Sequence, residues 1–545
     1  MPTAHVDTFA RDRLPPRELW PEFRFDLPEL HYPDYVNCAT RLIDRHVRAG
    51  AGGRRCIVSP TVSWTYDDVL RKANQIARVL TEDLGIVPGN RVLLRAPNTP
   101  MMAASWLAVM KAGAVAVTTM PLYRASELRY MIEKARVRVA LCDLRLRDEL
   151  ETAAAGVDGF ATVYFESNAR DGLESLISAK PGDFENVATA VDDVAIIGFT
   201  SGTTGTPKAA LHFHRDVLAT CDTYGSKVLR AKPDDLFCGS PPLAFTFGLG
   251  GLLLFPLDAG AATLLLEKAG PEPLMQAIEQ RGVTVVFTAP IAYRAMAELT
   301  ATYDSTTLRT CVSAGETLPL PIWEAWRAKT GLEILDGIGS TEMLHIFVGS
   351  PRGRIRGGAT GEAVPGYIAE IHDDDGKPLP PNAVGRLAVK GPTGCRYLDD
   401  ERQHTYVRDG WNYPGDAYRM DEDGYFWYVA RTDDMIISAG YNISGPEVEQ
   451  ALLAHDHVRE CAVVAKPDPV HSTSIVKAYV VLTDGCAPDD AKCEELKGFV
   501  RDRIAAFKAP REIEFVAQLP RTETGKVQRY RLRERAAADP HPLSS

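Results

Sequence analysis

At 545 residues, with 45% hydrophobic and 24% charged side chains, the chain has the make-up of a globular protein. At about 150 residues per domain it has room for several structural units. A net charge of −11 and a pI near 5.7 argue against a nucleic-acid-binding surface, and any anionic substrate must be met by local positive charge. The ten cysteines are scattered with no C-x-x-C pair, which indicates neither a zinc ribbon nor a disulfide framework and fits reduced thiols in a cytoplasmic protein.

In chain order, the amino terminus "MPTAHVDTFARDRLPPRELWPEF" has no apolar h-region and predicts no secretory signal. "MMAASWLAVMKAGAVAVTTM" and "LGGLLLFPLDAGAATLLL" are apolar enough to suggest membrane spans. The first carries Lys111 and the second is broken by Pro256 and Asp258, so both read as buried helix and strand pieces of a core. Short apolar runs such as "RVLLRAP", "RVALCD", "VTVVFTAP" and "LRTCVSAG" alternate with helical segments such as "YDDVLRKANQIARVLTEDLG". That alternation predicts layered α/β architecture with largely parallel sheets. From about Gly357 the texture changes, and "GYIAEIHDDDGKPLPPNAVGRLAVKG" predicts a β-meander or hairpin around a D-D-G-K turn. After "ARTDDMIISAGYNISGPEVEQALLAH" a small α+β unit follows, ordered helix, strand, strand, helix, strand. Its boundary falls near Asp433, giving expected domains of 1–432 and 433–545, and the tail "AAADPHPLSS" reads as disordered.

The stretch with the plainest chemistry is "FTSGTTGTPKAALHF", Phe199 to Phe213. "VAIIGF" before it reads as a buried strand. Gly202 and Gly205 allow backbone N–H groups to converge on phosphate oxygens, Ser201, Thr203, Thr204 and Thr206 add donors, and Lys208 adds a point charge. The Walker A spacing G-x-x-x-x-G-K-[ST] is not met, and "AALHF" looks like a second strand where that motif requires a helix. The H-x-H pairs His212/His214 and His455/His457 lack further clustered ligands in sequence, so zinc is not expected there.

Five motifs in fixed order resemble the adenylate-forming superfamily of acyl- and aryl-CoA ligases: the loop from Thr200 to Lys208, "GIGSTEM" (Gly337–Met343), "WNYPGD" (Trp411–Asp416), "ARTDDMIISAGYNISGPEVE" (Ala430–Glu449) and "PRTETGKVQR" (Pro520–Arg529). The resemblance covers nearly the whole chain. "DGIGSTEMLHIF" and "AFTFGLGGLLLF" look like the benzoate and 2-aminobenzoate CoA ligases within it. It implies that a carboxylate attacks the α-phosphorus of ATP, expelling pyrophosphate, and that the acyl-AMP then passes to CoA. The 200–208 loop would hold the leaving phosphates, Thr341 the phosphate, and Glu342 the Mg²⁺, which takes hard oxygen ligands.

By the same resemblance, Gly315, Glu316, Asp336, Gly337, Ile338 and Gly339 would flank adenine, and Asp416 and Arg431 would meet the ribose. Pro414 stands where the family often has threonine. Lys526 would bridge carboxylate and α-phosphate. Asp433 would be the hinge that swings Lys526 away and brings Ser438, Ala439, Gly440 and Tyr441 in as a CoA channel. The acid pocket would be lined by Phe245, Thr246, Phe247, Phe255, Ala314, Gly339, His345 and Ile346. The expected enzyme is thus an ATP-, Mg²⁺- and CoA-using aryl-CoA ligase for 2-aminobenzoate or a related benzoate, without nucleic-acid or membrane partners. A homodimer stays open as an alternative. Its rivals are an aryl-AMP ligase that loads a carrier protein and a non-catalytic nucleotide-binding module.

Overall fold

The computed structural model describes residues 2–200, 207–431, 434–438, 441–468, 473–504, 506–521 and 526–539. Two α/β sheets form the larger part. The first has six strands in the order Ala161–Phe165, Val139–Asp143, Arg91–Arg95, Val115–Thr119, Val194–Thr200, Lys208–Phe213. All neighbours are parallel except the last pair, which is antiparallel with Thr200 opposite Lys208. The second runs Ile334–Leu335, Thr310–Ser313, Val285–Thr288, Leu236–Gly239, Ala262–Leu264, Arg55–Val58, Ser63–Thr65, parallel except at the final pair. Covered on both faces, such strands read as continuous apolar runs, which is why they were legible as short hydrophobic blocks.

Local signals explain the helices between them. In Tyr66–Arg78, the Thr65 side chain accepts from the Asp68 N–H while Asp68 accepts from the Thr65 N–H, a reciprocal cap. Val69, Ala73, Ile76 and Ala77 form its buried face. Pro100–Lys111 starts on the Thr99 cap with proline at its first position and is buried all round. Lys111, expected within an apolar core piece, pairs there with Asp44 at 2.9 Å. No helix among the described residues is long and apolar enough to cross a membrane.

The expected hairpin is present as Ile368–His372 antiparallel to Val384–Lys390, within a six-stranded sheet that includes Asp416–Met420 and Phe426–Arg431. The small unit has Gly445–Leu453, Val458–Asp468, Thr473–Leu482, Asp490–Arg501 and Glu512–Phe515 in the expected order of element types. Its apolar clusters are its own, one around Val463, Ala478 and Leu496 and one around Tyr479 and Leu532. One expectation fails: the tail is not irregular from Ala536. A helix, Arg529–Ala538, takes in its first three residues, because Leu532 and Ala536 sit on one face and bury against Tyr479, and residues 540–545 lie outside the described residues.

Candidate active site

The site lies at the carboxyl ends of the parallel strands, where chain termini of neighbouring strands open a crevice. Thr310–Ser313 and Ile334–Leu335 are in register, so Ala314–Glu316 and Asp336–Gly339 leave the sheet side by side. Gly315 has φ +92, a left-handed conformation that favours glycine, and a β-carbon on Gly339 would sit 2.7 Å from the His345 carbonyl oxygen.

Thr341 and Glu342 follow at once. The methyl of Thr341 packs on Gly198, where a β-carbon would come within 2.8 Å of it, and His212 Nε2 bonds the Thr341 carbonyl at 2.7 Å. Glu342 is buried and its Oε1 accepts from the Tyr397 hydroxyl at 2.6 Å. Lys208 Nζ lies 5.3 Å over the Tyr397 ring. Thr200 and Lys208 pair at the base of the stretch expected to hold phosphates. Ser201, Gly202, Thr203, Thr204, Gly205 and Thr206 lie outside the described residues.

Asp416 and Arg431 are register partners across two antiparallel strands, with Arg431 Nη1 at 3.2 Å from Asp416 Oδ2. Arg431 also donates to the Pro414 carbonyl, so proline keeps a backbone role where a threonine side chain is absent. A β-carbon on Gly415 would stand 2.8 Å from the Arg431 guanidinium, and its φ of +87 again requires glycine.

Lys526 is far away in sequence and near in space. Its side chain passes Gly315, with Cε 3.8 Å from where a β-carbon on that glycine would be. Glu316, expected beside adenine, accepts from the Val527 N–H at 3.2 Å and faces Arg521 at 3.8 Å, so it holds the lysine turn. Asp433, Ala439 and Gly440 lie outside the described residues. Ser438 pairs with Tyr441 in a two-stranded ribbon whose Ile436 and Ile443 pack into the small unit.

Of the acid-pocket residues, Phe247, Phe255 and His345 are brought together. His345 lies 4.6 Å from Phe255 and 6.0 Å from Phe247, centroid to centroid, with Ile346 next in the strand. Gly250 makes room for it, since a β-carbon there would fall 2.3 Å from the imidazole. Thr246 is half-buried at the start of a short helix, and Phe245 faces Tyr123 edge-on at 6.5 Å. Ala314 is buried at the strand end. Sequence reasoning missed Tyr224 (5.2 Å from His345) and Phe287 (5.5 Å from Phe247), which join only through tertiary packing.

The polar atoms at this crevice are unsatisfied. The Tyr224 hydroxyl, both His345 ring nitrogens, Ser313 Oγ and Asp336 Oδ1 are buried without a hydrogen bond of ordinary geometry among the described residues. Buried polar atoms are nearly always paired, so a run of orphans marks where a ligand or water completes the set. Burial lowers the His345 pKa to about 3, which keeps the imidazole neutral at working pH. Burial raises the Asp336 carboxyl to about 8, against backbone N–H groups of Gly337 and Leu318 that favour its charged form.

The sign of that shift gives a test. Between the unfolded pKa near 4 and the folded value, the native state holds a proton that the unfolded state has lost, so stability declines as pH rises through this window. Asp336→Asn removes the decline. The variant's melting temperature relative to wild type is expected to climb by several degrees from pH 5 to pH 8. A constant offset across that range would sink the assignment.

Elsewhere, His455, His457 and Glu495 converge with ligand atoms within 4.8 Å of one another, so the expectation that this H-x-H pair lacked a third group was wrong: Glu495 is contributed from the helix Asp490–Arg501. Lys492 Nζ already fills the gap, 2.8 Å from His457 Nδ1 and 2.5 Å from Glu495.

Comparison with known proteins accords with this geometry. Residues 43–396 match the model of the AMP-binding enzyme family and residues 447–526 that of the AMP-binding enzyme C-terminal domain. The chain belongs to the AMP-binding enzyme family. It is similar to the benzoate–CoA ligase of Thauera aromatica, 34% identical over 93% of this chain and 97% of that protein. It is also similar to the 4-hydroxybenzoate–CoA/benzoate–CoA ligase of Rhodopseudomonas palustris, 31% identical over 92% and 94%. Among solved structures, an anthranilate CoA ligase in complex with anthranoyl-AMP superposes with a TM-score of 0.89 at 31% identity, covering 94% of this chain and 99% of that one. A benzoate CoA ligase from Burkholderia xenovorans gives 0.84 at 33% identity, covering 91% and 100%. This AMP-binding enzyme is therefore an AMP-forming acid–thiol ligase that uses ATP and CoA.

Proposed function

We propose that this enzyme is an aryl-CoA ligase whose first substrate is 2-aminobenzoate, with benzoate and other ortho-substituted benzoates as the near alternatives. The observation that carries the reading is the aromatic cluster of Phe247, Phe255, Phe287 and Tyr224 around a neutral His345. Aromatic walls suit a flat ring, and a neutral imidazole that turns its N–H toward the Phe247 backbone leaves the lone pair of its other nitrogen for an amino hydrogen.

In the first half-reaction the substrate carboxylate attacks the α-phosphorus of ATP and pyrophosphate leaves. Lys526 stabilises the charge that builds between the two reactants, and Lys208 with residues 200–206 holds the departing phosphates. Asp416 takes the ribose hydroxyls, with Arg431 orienting its carboxylate. Asp336, Ser313 and Gly337–Gly339 flank adenine. Glu342 and the phosphates would hold Mg²⁺. Its carboxylate fits, being a hard, buried oxygen donor with Oε2 unpartnered among the described residues, and the ion when bound offsets phosphate charge. In the second half-reaction residues 433–545 rotate about Asp433, withdrawing Lys526 and presenting 438–441 to the CoA thiol, which displaces AMP.

The test is a panel of aromatic and aliphatic acids, scored for both pyrophosphate release and CoA thioester by mass spectrometry. A buried polar group left unpaired costs about 1–3 kcal/mol, so benzoate is expected to be poorer than 2-aminobenzoate by roughly tenfold in kcat/KM. Aliphatic acids fall further behind. His345→Leu closes the gap between the two aromatic acids, Thr246→Val narrows it less, and neither shifts the KM for ATP. If wild-type kcat/KM for benzoate equals or exceeds that for 2-aminobenzoate, the ortho reading fails and a plain benzoate–CoA ligase replaces it.

A further inference from the structure

We propose that Tyr397 is a positioning residue for adenylation: its hydroxyl pins one oxygen of Glu342 and so aims the other at the metal-bound phosphates of ATP. The inference rests on the proposed role of Glu342 and adds a residue that no motif marked.

The segment 395–398 runs alongside the strand Lys208–Phe213. Leu211 N–H donates to the Arg396 carbonyl at 2.7 Å, Leu398 N–H donates to the Ala209 carbonyl at 2.8 Å, and Ala210 bridges to Tyr397. Extended chain sends successive side chains to opposite faces. Arg396 therefore goes behind, where it pairs with the fully buried Asp216, while Tyr397 goes forward to Glu342. Asp216 lies 3.7 Å from His212 Nδ1, and the other ring nitrogen of His212 bonds the Thr341 carbonyl. One short segment thus grips Thr341 and Glu342 from both sides.

The phenol is fixed where it stands. Tyr406 packs edge-on at 5.9 Å and itself bonds Ser340 at 3.0 Å, and Gln403 accepts from the Tyr397 N–H at 2.9 Å. A phenol keeps its proton at neutral pH, and with the Glu342 oxygen as acceptor the Tyr397 hydroxyl is the donor of this bond.

The choice of a phenol matters chemically. An arginine or lysine in its place would cancel the carboxylate charge and compete with a divalent ion. A neutral donor orients the carboxylate and leaves the charge available. The same ring holds the Lys208 ammonium over its face, where the quadrupole attracts it, and no ion pair between Lys208 and Glu342 forms among the described residues. The anionic and cationic groups that ATP must meet are kept from neutralising each other before it arrives.

Tyr397→Phe keeps the ring and the cation contact and removes only the donor. Hydrogen bonds to charged groups are worth about 1.5–3 kcal/mol, so the half-saturation for Mn²⁺, measured by electron paramagnetic resonance on enzyme with a non-hydrolysable ATP analogue, is expected to rise roughly tenfold or more. The kcat for aryl-AMP formation falls by a similar factor, the KM for the acid stays, and thioester formation from supplied aryl-AMP is spared. In a Glu342→Gln background the same change adds nothing. An unmoved Mn²⁺ half-saturation overturns the proposal, and so does a parallel loss of both half-reactions with a lowered melting temperature, which would make Tyr397 scaffold only. If wild type forms no aryl-AMP from any aromatic acid, the proposed function fails instead, and the Mn²⁺ titration still decides the role of Tyr397.

Discussion

Lys526→Ala is expected to cut aryl-AMP formation on the order of 10²–10³-fold, the usual cost of losing one preorganised charge-stabilising group. Thioester formation from supplied aryl-AMP should keep a rate close to wild type. The asymmetry follows from where the lysine comes from. The other groups assigned to the nucleotide belong to the larger unit, whereas Lys526 is delivered beside Gly315 by a turn held through Glu316. Lys526 is exposed before substrates arrive, and an ammonium held between carboxylate and phosphate supplies a charge at close range that water cannot replace. After AMP ester formation that charge has no partner to stabilise. Separate pyrophosphate-release and thioester assays decide the matter: equal loss in both would mean that the two steps share one arrangement of the units.

Arg396→Met should destabilise the fold by about 3–5 kcal/mol, because it strands a charge inside the protein. Arg396 and Asp216 are both fully buried, and the guanidinium also sits 4.0 Å over the Phe213 ring. Burial pushes the Asp216 carboxyl up, but Arg396, together with His212 and Arg215, more than reverses this and holds it below the ordinary range. Without Arg396 the carboxyl would rise and take a proton, so the destabilisation should grow with pH above the unfolded pKa near 4. Denaturant unfolding at pH 5 and pH 8 measures both effects. The double variant Arg396→Met/Asp216→Leu should recover much of the loss, since well-packed apolar pairs often match buried ion pairs. A single variant within about 1 kcal/mol of wild type would show that the pair is not a structural support.

Much of the architecture could be read from local pattern, and the reasons are physical. Doubly covered parallel strands such as Arg91–Arg95 announce themselves as apolar blocks. The polar run after Val194–Thr200 raises the expectation of a phosphate site because few other uses need glycines, hydroxyls and a lysine so close together. Pairings that span the fold carry no such mark. Tyr397 lies 55 residues from Glu342, in a stretch whose composition is unremarked. Tyr224 meets His345 only because the helix Cys221–Leu229 faces the bend that precedes the strand Ile346–Gly349. Asp416 and Arg431 were placed by resemblance, but that they are register partners was not visible in either segment alone. The tail helix was misread because its two apolar contacts, Leu532 and Ala536, are too few to show a period.

Some of the polar contacts that bring Lys526 to the crevice are open to water. Glu316 and Arg521 are each 27% exposed, and the other described contacts include two hydrogen bonds from Arg294 to the carbonyls of Val458 and Arg459. A partly exposed ion pair such as Glu316–Arg521 is worth at most about 1 kcal/mol. A cover sealed by apolar surface would clasp the finished adenylate as firmly as the starting acid, and every cycle would stall there. On the proposed two-step reading the closure would work as a clutch: strong enough to engage for one chemical event, weak enough for thermal motion to disengage it, with its slip set by a carboxylate that water can reach.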